Sequence, residues 1–249
     1  KISFDDLIKV IKKIKNTTVH VVGDTIVDTY TKTNFIGGQT KTPTFSVLYD
    51  KEDSFVGGAA IVALHMKAAG AKVKFTTVVS NDKKGKFVKN ELKKNKIQCN
   101  FFDEKNRPTT NKNTFMSSTY RLLKVDTLSN APITEDTLSK IINKIKSEKT
   151  KVTVFSDFRH GIFNPSSIQK LLNAIPKKNF KAGDSQVASR WGNITEFKNF
   201  DLITPNEREA RFSLADQDST VGKVAGLLYE KAKYKNLILK LGPRGIFCN

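Results

Sequence analysis

Hydrophobic positions along the chain switch between two periods, and the alternation outlines a fold. Leu7, Ile8, Ile11 and Ile14 fall on one face at helical spacing. Ser3 stands before them with Asp6 three residues on, the signature of a capping box, so an opening helix that packs on a sheet is predicted. Thr18–Val22 is a β-branched run ending in Gly23-Asp24, the pattern of a strand buried on both faces that delivers a carboxylate at its carboxyl end. Downstream the two patterns alternate. Helix Ala59–Ala69, closed by Gly70, precedes strand Val73–Val79 and helix Gly85–Lys94; helix Thr134–Ser147, strand Val152–Ser156, helix Pro165–Ala174 and strand Phe180–Ala182 follow. A short strand Leu202-Ile203, helices Asn206–Leu214 and Thr220–Ala232, and strand Leu237–Leu241 complete the series. Strands separated by helices predict an α/β fold with a mostly parallel sheet covered on both faces.

Two stretches depart from this rhythm. Near 29–56 the chain reads as short β-prone pieces broken by Gly37-Gly38 and Pro43, and near 97–125 the pieces Ile97–Phe102, Asn113–Met116 and Thr119–Val125 are similar. They are expected to pair as a small sheet standing off the body, a lid. Exposed lid strands need cover, which a lid-to-lid homodimer would supply.

Composition adds limits. A length of 249 residues suits one elaborated domain. No apolar run approaches the roughly 20 residues that cross a bilayer, and Lys1 to Asn16 has neither the continuous apolar stretch nor the cleavage site of a signal peptide. A cytoplasmic address is expected. Cys99 and Cys248 lack His or Cys neighbours at ligand spacing, so two buried thiols are expected rather than a disulfide or zinc site. The net charge of +19 raises a nucleic-acid or membrane-surface partner. Lysines such as Lys9, Lys12, Lys13, Lys83, Lys84 and Lys86 lie scattered along the predicted helices without interleaved aromatics. The expectation is a solvated surface with no nucleic-acid and no membrane partner.

Several segments carry chemistry. Gly57-Gly58-Ala59-Ala60 puts two glycines at a helix start, where free N–H groups suit hydroxyl or phosphate oxygens; tight packing on the sheet explains the small residues equally well. Asp24 and Asp28 follow the first strand and could accept hydrogen bonds from sugar hydroxyls, or cap a turn and sit in solvent. Ser156-Asp157-Phe158-Arg159-His160-Gly161 brings a third acidic residue to the same sheet edge, with His160 read as a surface residue. Asn206 and Glu209, in Thr204-Pro205-Asn206-Glu207-Arg208-Glu209, complete a capping box or orient waters around Mg²⁺. Lys240, before Gly242-Pro243-Arg244-Gly245, could meet a nucleotide phosphate, though a hairpin turn explains the glycines.

In this order and spacing the segments resemble the ribokinase-like, or PfkB, superfamily of carbohydrate kinases, and most of all the kinase domain of bacterial heptose-7-phosphate kinase/adenylyltransferase proteins. The resemblance runs nearly end to end. It implies a three-layer α/β/α fold with a β lid, and ATP- and Mg²⁺-dependent phosphorylation of a hydroxyl on a sugar or sugar phosphate, with a heptose 7-phosphate favoured. Asp24, Asp28, Gly57, Gly58 and Asp157 would contact the substrate. Asn206, Glu209, Lys240 and Gly242 would lie at the nucleotide, the first two reaching the metal through water. Two departures bear on the sugar: Ile61 stands where Asn is usual, and Asp184-Ser185-Gln186 replaces Asp-Pro-Lys-Gly. The Asp-Thr-x-Gly-Ala-Gly-Asp motif that supplies the aspartate base does not occur. The expected base therefore lies beyond Asn249, the carboxyl-terminal part of the fold is missing, and residues 1–249 make an incomplete kinase domain with little turnover of its own. A non-catalytic sugar-binding or regulatory homologue is the alternative.

Overall fold

The computed structural model describes residues 2–36, 44–187 and 191–249; the predicted breaks at Gly37-Gly38 and Pro43 lie outside them. In chain order the elements are α1 (Phe4–Ile14), β1 (Thr18–Gly23), β2 (Thr25–Phe35), β3 (Val47–Gly58), α2 (Ala59–Ala68), β4 (Lys72–Val78), α3 (Lys83–Lys94), β5 (Gln98–Phe102), β6 (Asn111–Ser117) and β7 (Tyr120–Thr127). Then come α4 (Glu135–Ser147), β8 (Val152–Asp157), α5 (Pro165–Ala174), β9 (Phe180–Ser185), β10 (Leu202–Ile203), α6 (Glu207–Leu214), α7 (Val221–Ala232), β11 (Asn236–Lys240) and β12 (Ile246–Cys248). One sheet has eight strands in the order β12-β11-β10-β9-β8-β1-β4-β5, and the other four in the order β3-β2-β6-β7. The large sheet is parallel except for β12, which folds back on β11 as a hairpin.

Strand alternation decides which helices cover which face. Val19, Val21, Val73, Phe75 and Val154 share one face with Ala60 and Ala63 of α2 and Val88 and Leu92 of α3. Val22, Phe155, Ile203, Leu237 and Leu239 point the other way, onto Ile141 of α4, Leu171 of α5 and Leu228 of α7. Phe155, Phe163, Phe197 and Phe200 interlock in that second layer with ring centroids 5.2 to 6.5 Å apart. Gly183 makes room for them, since a Cβ there would lie 3.0 Å from the Phe200 ring and 3.1 Å from Phe197. Truncating any of these buried phenylalanines would cost about 3 to 5 kcal/mol. The first face is uneven: Phe180, Ala182, Leu202 and Ile238, on the strands beyond α2 and α3, are only partly covered.

Helix starts follow their caps. Ser3 with Asp6, Asn164 with Ser167, and Asn206 with Glu209 form reciprocal boxes, each satisfying two backbone donors that a helix start leaves unpaired. Asp82 caps α3 by accepting from the Gly85 N–H at 2.7 Å, and its other oxygen accepts from Thr109 N–H at 2.8 Å.

Five expectations need correction. The opening helix forms, but it has no buried residue and leaves Phe4, Leu7, Val10 and Ile11 exposed; its periodicity reports an apolar face without specifying a cover. Segment 97–102 is not lid: β5 pairs parallel with β4 at the edge of the large sheet, because a β-prone run does not declare which sheet it joins. Cys248 is exposed on the terminal hairpin, and Cys99 is half-buried. His160 is buried rather than on the surface, placed under the rim by the turn after β8. The lysines, scattered in sequence, are not all scattered in space. Parallel strands begin at one edge, so the connections leading into them collect Lys15, Lys96, Lys151, Lys177, Lys178 and Lys235 there.

Candidate active site

The carboxyl ends of β1, β8, β9, β10 and β11 form one continuous rim, and the four-stranded sheet rises from it through β2 and β3. Asp24, between β1 and β2, is buried below the rim. Its Oδ2 accepts from the N–H groups of Phe158 (3.1 Å) and His160 (3.2 Å), and Oδ1 from that of Ile162 (3.3 Å). Burial raises its pKa and these donors hold it back. Asp24 thus fixes the turn after β8; it is not placed on the open surface of the rim.

Gly58 ends β3 at φ +59, and a Cβ would sit 2.4 Å from the Asp24 carbonyl oxygen, so only glycine fits. No side chain caps α2; the Ala59 N–H donates to that same Asp24 carbonyl at 2.9 Å. At Gly57 the obstacle would be Asp28 itself, whose Oδ2 lies 2.2 Å from a built Cβ. The glycine thus lets the Asp28 carboxylate lie directly over the backbone at the helix start. Asp28 is half-buried and its pKa is raised by desolvation, with Lys124 and Lys112 pulling the other way. It lines a lid cavity of about 330 Å³ with Tyr30, Lys112, Thr114, Arg121 and Lys124.

Asp157, at the end of β8, is wholly buried. It accepts from Arg159 Nε (2.8 Å), the Arg159 N–H (2.7 Å) and Ser185 Oγ (2.7 Å), and Arg159 also pairs with Glu196. Burial pushes the Asp157 carboxyl up to about 7, with Arg159 opposing and Asp24 adding to the rise. Farther along, Lys240 Nζ and Thr204 Oγ1 each lie 3.3 Å from Asp184 Oδ1. Asn206 N–H donates to Glu209 Oε2 at 2.7 Å, and Glu209 N–H to Asn206 Oδ1 at 2.8 Å. Glu209 is buried, and desolvation with the neighbouring Asp184 charge raises its pKa. Lys240 joins this group through its N–H to Pro205 O, 2.9 Å, while Gly242, at φ +61 in the exposed turn, has no atom near its would-be Cβ.

The rim therefore brings Asp24, Gly57, Gly58 and Asp157 to one side, with Asp28 above them, and Asn206, Glu209 and Lys240 to the other. The register pairs Ser156 with Asp184 and Asp157 with Ser185, which joins the two sides. Sequence reasoning missed Arg159, Asp184, Ser185 and Glu196 as members. Arg159 sits two residues after the acidic strand end Asp157, and Asp184 two residues after the strand read as Phe180–Ala182; proximity to a strand's carboxyl end was the one signal that pointed to them. Lys84, taken as solvated, instead donates from α3 to Thr29 Oγ1 (3.1 Å) and Ser54 Oγ (3.0 Å) and pairs with Glu52 at 2.6 Å, tying lid to body. Among the described residues no group of three His, Cys, Asp or Glu side chains stands close enough to hold a bare metal ion. Asp184, Asn206 and Glu209 present oxygen donors only, which fits a cation that keeps its water, as Mg²⁺ does.

The model of the pfkB family carbohydrate kinases matches residues 16–249. This chain belongs to that family. Among curated relatives, the bifunctional protein HldE of Aliarcobacter butzleri is 26% identical over 239 residues, 93% of this chain and 49% of the relative. The HldE protein of Campylobacter jejuni strain RM1221 is 29% identical over 192 residues, 76% of this chain and 40% of its own length. The family member described here thus spans about half the length of those relatives. Phosphofructokinase-2 from Escherichia coli, solved with fructose-6-phosphate, superposes with a TM-score of 0.74 at 16% identity over 94% of this chain and 77% of its own. The shared architecture is an α/β fold with a mostly parallel sheet.

Proposed function

We infer that this pfkB-family chain is the substrate- and nucleotide-binding part of a kinase that transfers the terminal phosphoryl group of ATP to a hydroxyl of a sugar phosphate. A heptose 7-phosphate is the favoured acceptor, as the resemblance of the chain's segments implies. The observation that carries the reading is Asp28: a half-buried carboxylate held over Gly57 and the uncapped start of α2, where it lines the lid cavity with Lys112 and Lys124. A carboxylate so placed accepts from sugar hydroxyls, and charged hydrogen bonds of this kind are worth about 1.5 to 3 kcal/mol. Gly57 and Gly58 bring backbone close to the sugar, and Asp24 and Asp157 shape the pocket by fixing the turn after β8. Asn206, Glu209, Lys240 and Gly242 form the nucleotide side, with Lys240 offered to a phosphate oxygen. Asn206 and Glu209 would hold hydrated Mg²⁺ through water, and the ion would supply positive charge to offset that of the phosphates. No residue of those described is assigned to take the hydroxyl proton, and pairing through the lid is the proposed assembly.

The test is ADP release by the full gene product with heptose 7-phosphate, fructose 6-phosphate and ribose, beside Asp28→Asn. Turnover with a sugar phosphate that falls roughly 10- to 100-fold in the variant supports the reading. Silence with all three acceptors, or an indifferent variant, removes it.

A further inference from the structure

The sheet's amino edge and α1 together present a surface that the proposed kinase reaction does not use. Every parallel strand of the large sheet except β10, which Asp201 precedes, is led in by, or begins with, a lysine. Lys15 precedes β1, Lys72 opens β4, Lys96 precedes β5, Lys151 precedes β8, and Lys177 and Lys178 precede β9, all exposed. Backbone bonds pack these connections side by side: Lys72 N–H donates to Thr17 O, Lys151 N–H to Thr18 O, and Phe180 N–H to Lys151 O, at 2.8 to 3.0 Å. The carboxylates within the connections are Glu148 and Asp201, and each already has an ammonium partner, Lys74 and Lys235. A broad field of positive charge results.

Helix α1 ends at this same edge, tied to it by the Asn16 N–H donating to Gly70 O at 3.2 Å. Phe4, Leu7, Val10 and Ile11 form a continuous apolar stripe, between 49% and 77% exposed, while Lys9, Lys12 and Lys13 share the opposite side with Asp5 and Asp6, the latter 3.7 Å from Lys9. No helix among the described residues is long and apolar enough to cross a membrane. A short helix with one apolar and one lysine-bearing face can lie in a bilayer interface, and neighbouring basic residues add attraction to anionic headgroups.

We propose that α1 and the lysine-bearing amino edge dock this protein on an anionic lipid surface, with the rim of strand carboxyl ends facing away into water. A nucleic acid would match the lysines but offers no apolar phase to the stripe. A second copy joined through α1 would cover the stripe but bring two positive edges together.

Cosedimentation with phosphatidylcholine vesicles, with and without phosphatidylglycerol, tests this on the whole chain. Binding is expected only with the anionic lipid. Lys177→Glu with Lys178→Glu should weaken partitioning at least about twentyfold, since each lysine near an anionic surface contributes a factor of about 5. Leu7→Asp with Ile11→Asp should weaken it roughly a hundredfold, and both variants should keep wild-type circular dichroism because the altered side chains are exposed. Absence of binding to anionic vesicles overturns the proposal, as does equal binding to neutral ones or binding that survives Leu7→Asp with Ile11→Asp. Salt-sensitive retention on RNA without vesicle binding, or a dimer abolished by that α1 variant in a chain that ignores vesicles, would replace it with those partners.

Discussion

The two edges of the large sheet carry opposite charge, and they carry it differently. At the carboxyl edge Asp24 and Asp157 are sunk below the surface, each accepting several hydrogen bonds from the turn after β8. At the amino edge the lysines stand in water. A buried charge with fixed donors specifies one backbone path, because removing it strands the donors, whereas an exposed charge contributes mainly to a long-range field. The contrast predicts unequal costs for mutation.

The largest effect is expected at Asp24. Asp24→Ala leaves three N–H groups without their acceptor, two of them on the buried residues His160 and Ile162, and should cost about 4 kcal/mol or more at roughly 1 to 3 per group; urea unfolding measures it. Asp157 comes next. Its carboxyl ionises near 3.8 when unfolded and at about 7 when folded, so the folded state holds the extra proton in between and stability declines as pH rises from about 4 to about 7. The full swing is on the order of 4 kcal/mol at 1.36 per pH unit. Subtracting the profile of Asp157→Asn from that of the native chain should show the decline, and a flat difference would mean the carboxyl titrates normally.

His20, on β1 with Nε2 2.8 Å from Thr76 Oγ1, has the opposite sign. Burial lowers its pKa from 6.5 to about 4, so the unfolded chain takes up the proton first and stability is lost as pH falls across that interval, by roughly 3 kcal/mol. The two slopes oppose each other between about pH 4 and 6.5, so His20→Gln should reveal the Asp157 slope more plainly than the native chain does. The smallest effect belongs to the amino edge: Lys177→Ala with Lys178→Ala should leave unfolding within about 0.5 kcal/mol of the native value.

How legible each edge is from sequence follows the same division. Strand ends such as Gly23-Asp24 and Ser156-Asp157 announce themselves locally, as do the caps at Ser3 and Asn206, because a few neighbouring residues carry the whole signal. That Asp24 would turn inward to hold residues 158–162 could not be read, since its partners lie more than 130 positions away. The lysine edge was invisible for a related reason. Only parallel topology makes neighbours of residues 72, 96, 151 and 178, and their spacing along the chain has no period. β5 shows a third limit: Ile97–Phe102 reads correctly as a strand, yet the register that places Cys99 beside Phe75 is a tertiary outcome. The pattern of α1 is legible and true, but a moment of apolar residues does not name what will cover it.

Lys84 gives the lid a property of its own. One ammonium group bridges the helix α3 scaffold and three acceptors on the clasp, Thr29, Ser54 and Glu52. Such a fastening has no rigid lever behind it and slackens as dissolved ions compete for both partners. How tightly the jaw shuts on whatever it holds would then vary with the saltiness of the surrounding medium, while the sheet below keeps its shape.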